Sequence, residues 1–466
     1  MDDKPFTPRP SKPADLPAPA GSEYLPSPSG RGAGSEGKGP GDEGTERKGI
    51  VQSSVGWREA LLNRRMLICV FTGFSSGLPL YILLSLLPAW LRSEHIDLRA
   101  IGFFALMQFP FNWKFLWSPL IDRYALPALG RRRGWMLASQ LALLLALPAF
   151  GALDPEFDLL AIALLAMSVA FFSATQDIVL DAYRREILAD TELGLGNSIH
   201  VNAYRIAGLV PGSLSLILAD HLPWSSVFAI TALFMLPGIV MTLVVNEPAI
   251  AGNLPRSLRD AVIEPFREFI SRAGLRSALY MLAFMVLYKL GDSMATALAT
   301  PFYLDMGFTK TEIGLIAKHA GLWPSVFGGL LGGIWMLKLG INRALWLFGV
   351  VQVVSILGFA ALTAFPQDRV MLAAAISFEA LGVGLGTVAF VAYIARATHP
   401  LYTATQFALF TSLAAAPRVV MNSITGMLVE HTGWLYFFFI CTLLALPGML
   451  MLPKIAPWNG DAPAPR

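Results

Sequence analysis

Asp177 and Asp181 stand four residues apart inside a long apolar run, where a charge needs a reason. On a helix that spacing puts both carboxylates on one face, one turn apart. Two such groups suit the uptake and release of a proton. Gln176 beside them offers an amide to a sugar or a peptide. Seven more ionisable residues lie in apolar runs: Lys114, Arg205, Lys289, Asp292, Lys318, Glu379 and Arg418. Each charge at a bilayer centre costs about 2.5–3.5 kcal/mol on insertion scales, so such groups face a cavity or a partner.

Their spacing suggests roles. Lys289 and Asp292 are three apart, within reach on one helix. Glu379 falls at a depth comparable to Lys289, and Arg205 at a depth comparable to Asp177. Arg205 therefore either pairs with Asp177 or holds a substrate carboxylate. Asp177, Asp181 and Glu379 are the candidates for proton coupling. Lys114, Gln176, Arg205, Lys289, Asp292 and Arg418 are the candidates for binding an anionic solute. The bland alternative is a web of structural ion pairs, in which loss of one partner strands a buried charge.

A second group reads as a gate. Asp122-Arg123 followed by Arg131, Arg132 and Arg133 places a carboxylate and basic residues at neighbouring helix ends, a charge clamp that would lock one surface. A simple positive anchor is the alternative for the arginine triplet. Gly77 and Pro79, in a cluster with Gly73, Ser75 and Ser76, mark a helix able to bend, since proline removes a backbone donor. Close helix packing is the bland reading of the same cluster.

The elements that must position these residues are membrane helices. Of 466 residues 55% are apolar and only 14% charged, far from the soluble norm of about 25% charged. Apolar runs near the ~20 residues that cross a bilayer occur at 66–90, 100–120, 135–151, 159–182, 198–219 and 223–245, then 276–301, 312–335, 344–364, 369–393, 402–429 and 433–452. In lipid only internal hydrogen bonding survives, which selects helices. The expected fold is all-α, twelve transmembrane helices in two six-helix bundles. The expected organisation is a disordered cytoplasmic tail at 1–56, a first bundle at 57–245, a cytoplasmic linker at 246–275, a second bundle at 276–455 and a short tail at 456–466. The first 50 residues hold nine Pro and nine Gly and have little to bury. The linker suits an interfacial helix over 256–272.

With the N-terminus in the cytoplasm, eighteen basic residues of the connections fall on the cytoplasmic side and four outside. The halves also echo one another. Pro88 to Leu91 followed by Ile101-Gly102 matches Pro301 to Leu304 followed by Ile313-Gly314. Asp181-Ala182-Tyr183 matches Val391-Ala392-Tyr393, and the Asp122 to Arg133 loop has a worn counterpart in Lys338, Asn342 and Arg343. Parallel repeats place a substrate near the midplane between halves that rock against each other.

Other classes lack their signals. There is no GxxxxGK[ST] phosphate loop, no selectivity-filter motif and no nucleophile elbow. Two isolated cysteines make neither a disulfide framework nor a metal site. A formal charge of +3, with arginines in short clusters, does not suggest nucleic acid. No cofactor or metal is implied.

Seven stretches carry a resemblance. They are Gly73 to Pro79 (GFSSGLP), Lys114 to Pro119 (KFLWSP), Gly130 to Trp135 (GRRRGW), Ser173 to Ile178 (SATQDI), Leu287 to Asp292 (LYKLGD), Gly386 to Val391 (GTVAFV) and Ala404 to Leu409 (ATQFAL). In order, over about residues 60–452, they resemble the AmpG-like muropeptide permeases of the major facilitator superfamily. The interval between Asp122-Arg123 and the arginine triplet is longer than the usual superfamily pattern. The resemblance implies proton-driven import of GlcNAc–anhydro-MurNAc peptides across a bacterial inner membrane for cell-wall recycling, with an effect on beta-lactamase induction. It puts Asp177 and Asp181 on a Gln-Asp-x-x-x-Asp stretch where coupling carboxylates are expected, and Lys289, Asp292 and Gln406 on family stretches. The partners it implies are the anhydromuropeptide, protons and the bilayer. The protein is expected to be a monomer. Acetyl-CoA transporters of the same wider group leave another anionic amphiphile as an alternative cargo. A sensor or scaffold that kept the fold without transport is the alternative from another class.

Overall fold

The computed structural model describes residues 63–96, 109–126, 129–248, 257–309 and 312–460. The tail predicted over 1–56 and the first part of the 100–120 run lie outside these residues.

All described regular structure is helical. Asn63 caps the first helix by accepting from the Met66 N–H at 2.9 Å. That helix, α1 (Arg64–Ser93), widens into a π turn at Ile82–Leu86, just beyond Pro79. Proline's missing N–H is the physical reason a widened turn follows it. Next come three short pieces, Phe109–Trp113, Lys114–Leu116 and Ser118–Arg123, together α2. Then follow α3 (Arg131–Ala152), α4 (Leu159–Ile187), α5 (Leu193–Ala219) and α6 (Trp224–Val244).

A polar helix, α7 (Leu258–Ala273), opens on a capping box between Ser257 and Asp260. It lies within two residues of the interfacial helix expected in the linker. Ala261, Pro265 and Phe269 form its buried stripe, while Val262, Phe266 and Ile270 stay exposed. Beyond it runs α8 (Leu275–Ala297), broken at Lys289.

The 312–335 and 344–364 runs, expected as separate spans, form one stretch of helical hydrogen bonding, Lys318–Leu362. Its two arms, α9 (318–339) and α10 (341–362), meet at Gly340, whose φ of 72° turns the chain with no intervening loop. Trp335 and Phe348, on opposite sides of that turn, have ring centroids 6.2 Å apart, so the arms run antiparallel. The last helices are α11 (Arg369–Ala397), α12 (Thr403–Ser423) and α13 (434–455), the last reached through a second kink at Gly433.

Nine helical stretches among the described residues, with α9 and α10 counted as one, are long and apolar enough to cross a membrane. The interrupted α2 and the more polar α12 are not among them. Burial is inverted relative to a soluble protein. Leu145, Leu160 and Leu450 are more than 70% exposed, while Lys114, Arg132, Arg184 and Gln176 are buried. Such an exterior is compatible with hydrocarbon and not with water.

The apolar core is arranged unequally. Around Trp90, Phe150 and Phe228 it draws on the first half of the sequence, and around Phe302, Phe359 and Phe438 on the second. At the arginine-rich end one cluster runs through both, joining Cys69, Leu193 and Leu195 to Phe269, Phe348, Phe390 and Phe410. Packing at that end joins the two halves of the sequence.

Candidate functional site

The Asp177–Asp181 spacing works as helical geometry requires. Both carboxylates face α2, where the helix breaks at Lys114 and turns its side chain toward α4. Lys114 Nζ lies 3.7 Å from Asp177 and 3.9 Å from Asp181. Ser76 of α1 donates its hydroxyl to Asp177. Arg184, one turn beyond, holds Asp181 at 2.8 Å and donates to Asn197 of α5 at 2.9 Å. Four helices thus meet at two acids and two bases. Lys114 is shared almost equally between the two carboxylates.

The second half has its own cluster at the break in α8. Lys289 pairs with Asp292 at 2.8 Å and donates to Gln352 of α10 at 3.1 Å. Glu379 of α11 lies within electrostatic reach of Asp292, Lys289 and Arg205. Among the described residues, one oxygen each of Asp292 and Glu379 is buried with no donor facing it, and the two carboxyls lie within hydrogen-bonding reach of each other. Buried acceptors left open are costly, which marks this place as one where a proton or a donor belongs.

Arg205 does not pair with Asp177, whose cation is Lys114. It crosses to the second half and donates to the Ser325 carbonyl of α9 at 2.9 Å. Arg418 donates to the Ala414 carbonyl on its own helix at 2.6 Å. Among the described residues neither arginine joins a carboxylate in an ion pair, though both lie near Asp292. The side chain of Lys318 lies outside the described part of the structure.

The clamp residues converge at the arginine-rich end. Arg132, fully buried, donates to Asp122 at 2.8 Å and to Glu186 of α4 at 2.5 Å. Arg131 reaches Glu186 at 3.1 Å. Glu247 accepts from the backbone N–H groups of Arg132 and Arg133, at 2.7 and 3.0 Å, and so caps α3. Asp122 also reaches the other half. It accepts from the Thr405 N–H and hydroxyl, at 2.8 and 2.7 Å, at the start of α12. Arg133 stands apart, holding carbonyls of Thr242 and Leu243, and Arg123 lies over the Tyr124 ring at 5.4 Å.

Comparison with known proteins identifies the family. Residues 113–351 match the Major Facilitator Superfamily profile. A Haemophilus influenzae protein of uncharacterized function is 53% identical over 406 residues, 85% of this chain and 96% of that one. The anhydromuropeptide permease of Escherichia coli K12 is 42% identical over 390 residues, 83% of this chain and 79% of the relative. The chain belongs to the anhydromuropeptide permease family of the major facilitator superfamily. Among solved structures, the human organic anion transporter MFSD10 superposes with a TM-score of 0.64 at 15% identity, over 84% of this chain and 99% of that one, a likeness of fold. The chain is a membrane carrier rather than an enzyme.

Within this permease fold some predicted residues lie away from the two clusters. Gln176 turns into the first half, donating to the Ser75 hydroxyl at 2.6 Å in a chain that continues through Gln140 to Thr242. Gln406 sits at the arginine-rich end. Its amide donates to Pro265 and Glu268 of α7 and accepts from the His399 N–H, which makes it a tie for the linker helix. Gly77 and its neighbour Gly73 lie against α5, where an added Cβ would come within 2.4 Å of the Tyr204 carbonyl and 2.1 Å of the His200 carbonyl. Pro79 is buried in α1.

Sequence reasoning missed Ser76 as a ligand of Asp177, Gln352 as a ligand of Lys289, and Arg184, Glu186 and Thr405. Arg184 was within reach of it, three residues after Asp181. Gln352 and Thr405 carry no such local signal, because their partners are 63 and 283 residues away.

Proposed function

We propose that this permease imports anhydromuropeptides from periplasm to cytoplasm, driven by the proton gradient. In this reading twelve helices form two six-helix halves, 57–245 and 276–455, joined by the 246–275 linker. The protein sits as a monomer in a bacterial inner membrane with both termini cytoplasmic. The named E. coli relative supports the cargo class. The basic bias of the connections supports the orientation.

The observation that carries the mechanism is Lys114 balanced between Asp177 and Asp181. A unit charge pair at 4 Å is worth about 4 kcal/mol at an effective dielectric of 20. A proton arriving on one carboxylate removes that attraction and frees Lys114 toward the other. The Ser76 contact carries the change to α1. Arg205 and Arg418, uncommitted to acids, take the carboxylates of the cargo peptide. Asp292 and Glu379, with their open oxygens, form a second place for a proton. A chain welded at the arginine-rich end and cored separately at the other fits the state that accepts cargo from the periplasm.

Purified protein in proteoliposomes, with labelled GlcNAc–anhydro-MurNAc tripeptide outside, tests this. Uptake is expected under an inward proton gradient and is expected to collapse with a protonophore. Asp177→Asn is expected to insert and fold but to lose gradient-driven accumulation. No uptake by the folded native chain sinks the cargo assignment. Normal accumulation by Asp177→Asn removes that residue from the proton path.

A further inference from the structure

The linker helix α7 carries two apolar stripes, where a helix packed on a protein needs one. Ala261, Pro265 and Phe269 form the buried stripe. Val262, Phe266 and Ile270 each follow one position later, about 100° round the helix, and are 46%, 41% and 41% exposed. Ile263 is also exposed and widens this second stripe. Asp260, Glu264, Arg267 and Ser271 occupy the remaining, polar face. Its acids are matched on the same helix, Glu264 by Arg267 at 3.5 Å, and Glu268 beside them by Arg272 at 2.9 Å.

The path of the chain says what meets the outward stripe. Gly274, with a φ of 75°, turns the backbone directly into α8. That helix is one of the long apolar spans, and its Leu275 and Leu279 are among the most exposed apolar residues near its start. The exposed apolar series therefore passes from α7 into a lipid-facing surface. Arg259, three residues before Val262 and on the same side of α7, is exposed as well. A long stem with a terminal charge suits the level of lipid phosphates above an apolar floor.

The same helix is fastened to the second half. Gln406 of α12 donates its amide to the Pro265 carbonyl at 2.9 Å and to Glu268 at 2.7 Å. Its neighbour Thr405 is the residue that Asp122 holds from the first half. Arg272 donates to the Ala397 carbonyl, at the end of α11, at 2.8 Å. The ring centroids of Phe269 and Phe410 are 4.9 Å apart. Helix α7 thus grips the end of α11 and the start of α12 beside the junction between the halves.

We propose that α7 lies on the phospholipid leaflet at the arginine-rich end, with Val262, Phe266 and Ile270 in the acyl region, and anchors the ends of α11 and α12 to that surface. The occupant of the outward stripe is hydrocarbon, because the stripe is broad, apolar and continuous with a spanning helix.

Spin labels on Phe266→Cys and Ser271→Cys test this in the full-length chain, reconstituted in vesicles of phosphatidylglycerol and phosphatidylcholine. Both positions are exposed, so the substitutions leave packing intact, and the native Cys69 and Cys441 are buried. Collision with oxygen and with a water-soluble nickel chelate gives the depth of each label. The label at 266 is expected about 5–10 Å below the phosphates, and the label at 271 in water. Equal access of the nickel chelate to both labels overturns the membrane contact. A label at 266 shielded from both reagents also overturns it, because protein then covers the stripe. Removing both ties, in Gln406→Leu with Arg272→Ala, is expected to keep the depth at 266 and to increase the label's mobility. Unchanged mobility overturns the anchoring of α11 and α12. No cargo is present, so failure here is distinct from failure of the import reading.

Discussion

At the scale of single residues, the site sorts its charges by whether they already have a partner. Lys114, Lys289 and Arg184 each hold a carboxylate, whereas among the described residues Arg205 and Arg418 hold only carbonyls. A hydrogen bond to a charged group is worth about 1.5–3 kcal/mol, so an arginine that meets the cargo only in the complex shows its effect in binding. Arg205→Gln is therefore expected to raise KM for a peptide-bearing cargo about ten-fold or more, with proton-driven uptake retained at saturation. Initial uptake rates over a cargo series check this, and an unchanged KM assigns Arg205 to the α5–α9 contact alone. The Asp177–Asp181 face and the Lys289–Asp292 pair were legible in the sequence, because helical periodicity is local. That Lys114 is the shared cation, and that Arg205 points across the molecule, was not. Depth along a helix says nothing about the direction in which it is turned.

At the scale of elements, the breaks carry the chemistry. Helix α2 is interrupted at Lys114 and α8 at Lys289, and each lysine sits where the helical ladder has given way. The glycines of α1 do different work. Gly73 and Gly77 let α1 approach α5 so closely that an added Cβ meets backbone oxygen. Overpacking a tight contact costs about 1–3 kcal/mol. Gly77→Leu is expected to lower the unfolding temperature of the detergent-solubilised protein clearly, whereas an unchanged value would show that the contact yields freely. The cluster's bending role and its packing role looked alike in the sequence. The neighbours decide for packing at Gly73 and Gly77, and the π turn beyond Pro79 shows where α1 departs from regular geometry. The single-residue turn at Gly340 was illegible for a related reason, since a positive φ replaced the loop that the polar interval suggested.

At the scale of the whole molecule, the arginine-rich end is where one half holds the other. Asp122 binds Arg132 within its own half and the start of α12 in the other, so it couples the clamp to the junction. Removing one partner of a buried ion pair costs about 3–5 kcal/mol. Asp122→Asn is expected to loosen this end. Spin labels at the exposed positions Thr191 and Lys338 would show longer and broader separations, and an unchanged distance distribution would remove Asp122 from the junction. Composition and periodicity alone determined that this chain is a helical membrane protein with ionisable groups in its spans, because hydrocarbon imposes those patterns on any sequence that crosses it. The order of seven short stretches was enough to indicate the family. Only the tertiary structure decided which charges meet, which arginines stay free of acids and which end is closed. Those depend on how each helix is rotated and on contacts across hundreds of residues, and neither leaves a mark in local spacing.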